Sequence, residues 1–212
     1  MKALILSILI GIITSSASAF EWQSNCGAKY EKEWFKPNYS FHVKHGEVGG
    51  CRSDHLEQNY PGYGSWKWSE RAEVQSKARL GPGKYEWSAT IHIDRACEKP
   101  ALRNTLFQIH AGGYLMTPPS WIGIESNNRF RLTRSGQTYG KVPKEPFELL
   151  ADIHIERTKV KVDYYVNGKY LATNYHFNDK PYEKIFLKFG IYRVNSHCDI
   201  TQSYKDVKFR KK

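Results

Sequence analysis

Three short stretches of this chain place anion-binding and proton-transferring side chains on one side of an extended backbone, where alternate residues share a face. In Trp68-Ser69-Glu70-Arg71-Ala72-Glu73-Val74-Gln75, the residues Arg71, Glu73 and Gln75 point one way and Ala72 and Val74 the other. In Leu106-Phe107-Gln108-Ile109-His110, Phe107 and Ile109 point inward and Gln108 and His110 outward. Two strand steps put those outward Cα atoms about 6.6 Å apart, a spacing that suits contacts to neighbouring parts of one sugar. In Phe186-Leu187-Lys188-Phe189-Gly190-Ile191-Tyr192-Arg193, an apolar stripe of Leu187, Phe189 and Ile191 opposes Lys188, Gly190 and Tyr192. The glycine is expected to leave room above the sheet for a ligand. An arginine presents a planar fork to a carboxylate, and histidine and tyrosine are proton-transfer groups. Taken singly, each pattern also reads as an ordinary surface ion pair or solvated strand face, because short motifs carry little information. The three together carry more.

Strands must position these residues. The run Lys84 to Asp94 alternates cleanly, with Tyr85, Trp87, Ala89, Ile91 and Ile93 on one face and Glu86, Ser88, Thr90, His92 and Asp94 on the other, the period of a half-buried strand. Similar runs predict strands over 102–110, 121–125, 129–133, 151–156, 159–166, 170–173, 185–192 and 203–210, with Asn167-Gly168 as a hairpin turn. Gly81-Pro82-Gly83, Thr117-Pro118-Pro119-Ser120 and Ser135-Gly136 are turn signals. Many short antiparallel strands predict an all-β sandwich or jelly roll of two antiparallel sheets. The segment from Phe20 to about Trp66 has no clear pattern and is expected to form long loops over one edge.

Residues 1–19 have a single Lys2, an apolar run from Ala3 to Ile13 and the ending Ala17-Ser18-Ala19, the pattern of a secretory signal peptide. Cleavage there leaves 20–212 as one domain, secreted or periplasmic, with no membrane attachment and expected to be monomeric. The net charge of +11 becomes +10 once Lys2 is gone. That field favours polyanions, and outside the cell these are acidic glycans rather than nucleic acid. The four cysteines, Cys26, Cys51, Cys97 and Cys198, read as disulfides in such a compartment. Of the three possible pairings, Cys26 with Cys51 and Cys97 with Cys198 is favoured. No zinc-ligand spacing is present; no cofactor is called for, and a structural calcium is compatible with the sequence.

Arg71-x-Glu73, Gln108-x-His110 and Lys188-x-Gly190-x-Tyr192 resemble, in order and approximate spacing, the motifs of jelly-roll polysaccharide lyases. These include the alginate lyases of family seven and the heparin lyase I and glucuronan lyase groups. Ser203-Tyr204-Lys205-Asp206-Val207-Lys208-Phe209 is similar to the last strand of these concanavalin-like folds, so the resemblance covers roughly Trp68 to Lys212. The chain departs from the alginate-lyase pattern, with Val74 and Gln75 after the glutamate, Phe189 before the glycine and Val194 two places after the tyrosine. Gly190-Ile191-Tyr192-Arg193 looks more like the heparin lyase I and glucuronan lyase groups.

The resemblance implies β-elimination on a uronic acid polymer. Arg71 and Gln108 would hold the carboxylate and take up the charge that builds as C5 loses its proton. His110 and Tyr192 would supply the base and the acid, in an order the sequence leaves open. A phenol, at an unperturbed pKa of about 10, suits protonation of the leaving oxygen. Lys188, about 13 Å along the strand from Tyr192, is expected to hold an anionic group in a neighbouring subsite. Glu73 is expected to orient Arg71, and Arg193 to contribute to substrate binding. The first rival is a non-catalytic carbohydrate-binding sandwich, in which exposed Trp66, Trp68, Tyr114 and Trp121 would be stacking platforms. A glycoside hydrolase needs two flanking carboxylates, and no Glu-x-Asp-x-x-Glu strand is present. No residue positively supports a structural or inhibitory envelope protein.

Overall fold

The computed structural model describes residues 20–33, 36–47, 50–51, 69–94, 103–112, 118–133, 137–194 and 198–212. The expected leader, the expected strand start at Leu102, and Trp66, Trp68, Cys97 and Tyr114 lie outside them.

The strands in chain order are β1 (Trp22–Ser24), β2 (Glu31–Lys32), β3 (Tyr39–Val43), β4 (Ser69–Ser76) and β5 (Gly83–Asp94). Next come β6 (Arg103–Ala111), β7 (Ser120–Glu125), β8 (Arg129–Leu132), β9 (Thr138–Lys141) and β10 (Phe147–Ile155). The last four are β11 (Lys159–Val166), β12 (Lys169–Phe177), β13 (Ile185–Val194) and β14 (Ile200–Lys211). They form two seven-stranded sheets, ordered β1-β4-β13-β6-β7-β8-β9 and β12-β11-β10-β5-β14-β3-β2. The all-β, two-sheet antiparallel architecture is the expected one.

Alternation builds the core. Tyr85, Trp87, Ala89, Ile91 and Ile93 of β5 are buried, and neighbouring β10 adds Phe147, Leu149, Ala151, Ile153 and Ile155. From the other sheet come Ala72, Val74, Phe107, Ile109, Leu187, Phe189 and Ile191. Each large side chain removed from water contributes roughly 1.5–3 kcal/mol. Phe189 is central, with the rings of Trp22, Tyr39 and Tyr204 at 4.7, 5.2 and 4.9 Å. Trp87 stacks on Phe107 at 4.3 Å, which joins the two sheets.

The Asn167-Gly168 hairpin is present, with φ of 49° and 72°, the two left-handed residues a tight type I′ turn requires. The N-terminal segment differs from expectation. Short strands β1 and β3 join the sheets, pairing with β4 and β14, because Trp22, Tyr39, Phe41 and Val43 pack on the core. Strand β10 begins four residues before the expected Ala151, and β12 runs four beyond Thr173, since Phe147, Leu149, Asn174 and His176 continue the inward pattern. Cys26 is bonded to Cys51. Cys198 is also in a disulfide, and its expected partner Cys97 lies outside the described residues.

Candidate functional site

Strands β4, β13, β6 and β7 lie side by side and carry the singled-out residues on the face turned away from the core. Register pairs Tyr192 with Arg71, Gly190 with Glu73, and Lys188 with Gln75. On the other edge of β13, Lys188 faces Gln108, Phe186 faces His110, and Tyr192 faces Thr105. Arg71, Glu73, Gln108, His110, Lys188 and Tyr192 therefore share one face across three adjacent strands.

Glu73 is the hub. It is 1% exposed, and a carboxylate that deep must be paired and hydrogen-bonded. Gln108 Nε2 donates to Glu73 Oε1 at 2.5 Å, Asn25 Nδ2 donates to Oε2 at 3.3 Å, and Arg71 Nη1 lies 3.4 Å from Oε2. Glu73 thus orients both Arg71 and Gln108, where only the first was expected. Gln108 keeps a second amide hydrogen for another acceptor. Asn25 was not anticipated; its neighbour Cys26 is tied to Cys51, with Cα atoms 4.9 Å apart, which anchors that loop beside Glu73. Arg71 also lies over the Tyr192 ring, its guanidinium carbon 4.0 Å from the centroid.

His110 has a defined tautomer. Its Nδ1 lies 2.9 Å from the carbonyl oxygen of Ala111; a carbonyl only accepts, so Nδ1 donates and Nε2 carries the lone pair. Burial pushes its pKa down to about 4, with the charges of Lys188, Arg71 and Arg79 acting in the same direction and the Ala111 hydrogen bond opposing. The imidazole is neutral at ordinary pH, with Nε2 available as a base. Lys188 therefore bears directly on His110. The imidazole stacks on Phe186 at 5.0 Å and 25°, and the same ring carries the Arg79 guanidinium at 4.3 Å and Lys188 Nζ at 5.4 Å. Phe186 is legible from strand parity with Lys188; Arg79, in the turn after β4, has no sequence signal.

Three expectations are corrected. Gly190 does not make room for a ligand. Its φ is +132°, and a Cβ there would lie 2.4 Å from the Ala72 carbonyl oxygen and 2.8 Å from Glu73 Cα, so the glycine permits a bulge and a close approach to β4. The ladder between β13 and β6 is irregular between Phe189 and Tyr192. Tyr204 reaches across from the opposite sheet to this break, donating to the carbonyls of Leu106 and Gly190 at 2.8 and 2.9 Å. Gln202 Nε2 adds a 3.2 Å bond to Gly190, and Asn104 Nδ2 holds Gln202 Oε1 at 3.0 Å. Burial pushes the Tyr204 phenol up, which keeps it a neutral donor.

Arg193 does not join the site. It is 1% exposed and faces the interior beside Ile191; its Nε lies 2.5 Å from Glu70 Oε2 and its Nη2 donates to the Val43 carbonyl at 3.3 Å. A guanidinium placed there needs a carboxylate, and Glu70, its register partner on β4, supplies one. Trp121, beside Gln108 on β7, is 7% exposed and is no open stacking platform. Among the described residues no group of three or more His, Cys, Asp or Glu is placed to hold a metal ion.

No protein-family model and no curated protein matches this chain. Solved structures do. The alginate lyase from Corynebacterium sp. superposes with a TM-score of 0.55 at 14% identity, over 86% of this chain and 81% of that one. The alginate lyase from Klebsiella pneumoniae gives 0.52 at 12%, over 87% and 85%. A β-1,3-1,4-glucanase (lichenase) derived from a mouse hindgut metagenome gives 0.50 at 13%, over 90% and 92%. At these identities the likeness establishes the fold, a concanavalin-like jelly-roll sandwich that lyases and hydrolases of glycans share.

Proposed function

We propose that this chain is an exported lyase that cleaves a uronic acid-containing polysaccharide by β-elimination. The observation that carries this reading is the Glu73 network. It holds a guanidinium and an amide on one buried carboxylate, on the strand face that also carries a histidine whose Nε2 is unprotonated. Arg71 and Gln108 bind the uronate carboxylate and stabilise the enolate-like charge of the transition state. His110 Nε2 takes the C5 proton, the electron pair of that C–H bond becomes the C4–C5 double bond, and the C4–O bond breaks. The leaving oxygen takes its proton from the Tyr192 hydroxyl. No co-reactant is consumed, and water later returns both side chains to their starting states.

The Cys26–Cys51 disulfide supports an oxidising, extracytoplasmic destination. The fold shared with two alginate lyases supports the reaction class, whereas Val74, Gln75 and Val194 depart from the alginate-lyase pattern. The substrate is therefore sought among glucuronans and heparin-type chains as well as alginate.

One observation favours the non-catalytic carbohydrate-binding reading. His110 faces Phe186 while Tyr192 faces Thr105, five residues away on β6, so their backbones stand roughly 13–16 Å apart along the strand. A panel of uronic acid polymers followed by ultraviolet absorbance of the unsaturated product separates the two. The lyase reading expects a signal that His110→Ala and Tyr192→Phe each abolish while the protein stays folded. Retention of a polymer with no signal from any member of the panel leaves the binding reading.

A further inference from the structure

We propose that the side-chain amides of Gln75 on β4 and Gln23 on β1 extend the site toward the sheet edge. They hold ring hydroxyls of the sugar unit that adjoins the one at Arg71 and Gln108. This rests on the reading that a uronic acid chain binds at that pair. Register carries the inference. Gln108 on β6 pairs with Lys188 on β13, Lys188 with Gln75, and Gln75 with Gln23. Residues directly opposite in an antiparallel ladder share a face, so the three glutamines and the lysine among them form one row across the strands. Trp22 fixes the side: its ring packs on Phe189 in the core at 4.7 Å, which turns Gln23 outward with the site residues.

Neither of the two added amides is committed elsewhere. Gln23 and Gln75 are half-buried, and among the described residues neither side chain has a hydrogen-bond partner. Each therefore keeps two N–H donors and a carbonyl acceptor. A sugar hydroxyl both donates and accepts, and an amide matches it on both counts, whereas an ammonium only donates and a carboxylate only accepts. The backbone beneath Gln23 is fastened at both ends to β4. Lys77 N donates to the Glu21 carbonyl at 3.0 Å, and Asn25 N to the Glu73 carbonyl at 2.9 Å. A side chain on a backbone held in this way loses less freedom on binding.

The row is continuous with the Glu73 network. Gln75 is two residues from Glu73 on β4, about 6.6 Å at the backbone, and Gln23 lies one strand further toward the edge, about 4.8 Å. From Gln108 to Gln23 the row crosses three inter-strand steps, roughly 14 Å, room for more than one sugar ring. With a uronate held by Arg71 and Gln108, the β4 and β1 end of the row lies beneath the unit that follows it. The contacts made there are to hydroxyls, so the unit they favour is one whose hydroxyls are unsubstituted.

Calorimetric titration tests this with uronate monomers and with mannuronate, guluronate and glucuronate hexamers, on the His110→Ala protein so that no cleavage intervenes. Adding Gln75→Ala or Gln23→Ala should each weaken hexamer binding about fivefold, the worth of one neutral hydrogen bond, and leave monomer binding unchanged. Because the contact carries no charge, the loss should be the same at low and high salt. A hexamer affinity equal to the parent's in either variant, equal losses on monomer and hexamer, a loss that disappears in high salt, or no binding of any hexamer by the parent overturns the proposal. If both variants weaken hexamer binding while wild type makes no unsaturated product, the glutamine row stands and the lyase reading falls. If wild type cleaves and Gln75→Ala and Gln23→Ala leave KM unchanged, the reverse holds.

Discussion

Replacing Lys188 with methionine should raise the pKa of His110 and recover part of the acid stability that His110 removes. In the folded chain this imidazole falls from its ordinary 6.5 to about 4, first through burial and then through Lys188, with Arg71 and Arg79 adding to the effect. At 1.36 kcal/mol per pKa unit, that drop is worth on the order of 3 kcal/mol between the two protonation states. The folded value lies below the unfolded one, so the unfolded chain binds the proton first. The stabilisation is complete above about pH 6.5 and is lost as pH falls toward and through 4. Because burial is the larger cause, removing the Lys188 charge should recover only the smaller part of that drop. The Hε1 resonance of His110, assigned with His110→Gln, reads the titration directly, and urea unfolding at pH 7 and 4.5 reads the linked stability. His110→Gln should lose less stability than wild type between those pH values. A wild-type His110 that titrates near 6.5, or a Lys188→Met shift indistinguishable from zero, would refute the buried, cation-flanked imidazole on which the base assignment depends.

Gly190→Ala should destabilise the protein by at least about 1–3 kcal/mol from backbone strain alone, since its Cβ would meet the Ala72 carbonyl at 2.4 Å; a urea midpoint equal to wild type would contradict this. Arg193→Met leaves Glu70 buried without its guanidinium and should cost about 3–5 kcal/mol, while glycan affinity per folded molecule, measured by calorimetry, stays unchanged. Opening the Cys26–Cys51 bridge, whose residues are 25 apart in sequence, should cost about 2–4 kcal/mol. It should also weaken glycan binding, because Asn25 then no longer holds Glu73 in place.

The sequence carries the long strands plainly because each has one face on a core. Parity alone separates Gln108 and His110 from Phe107 and Ile109, and Lys188 and Tyr192 from Leu187 and Phe189. The same parity places Arg193 with Ile191 on the core side, where a charge looks wrong until Glu70 is found opposite it. Tyr39-Ser40-Phe41-His42-Val43 alternates as cleanly as β5 but over only five residues, among glycine, proline and asparagine that read as loop. Gly190 is a different case. A glycine between polar neighbours in a strand serves equally as ligand space or as a bulge, and only the strand partner decides. What decides here is Tyr204 and Gln202, which arrive from the other sheet to hold the displaced carbonyls. That cross-sheet contact, like the meeting of Arg79 with Phe186, depends on tertiary geometry that no local pattern encodes.

Elimination is tested by counting two chemical groups in one digest of a uronic acid polymer: new reducing ends and C4–C5 double bonds. Elimination yields one double bond for every new reducing end, and neither group is expected from His110→Ala or Tyr192→Phe. Reducing ends without double bonds would mean hydrolysis, and a polymer that binds but yields neither group with wild-type protein would contradict catalysis altogether.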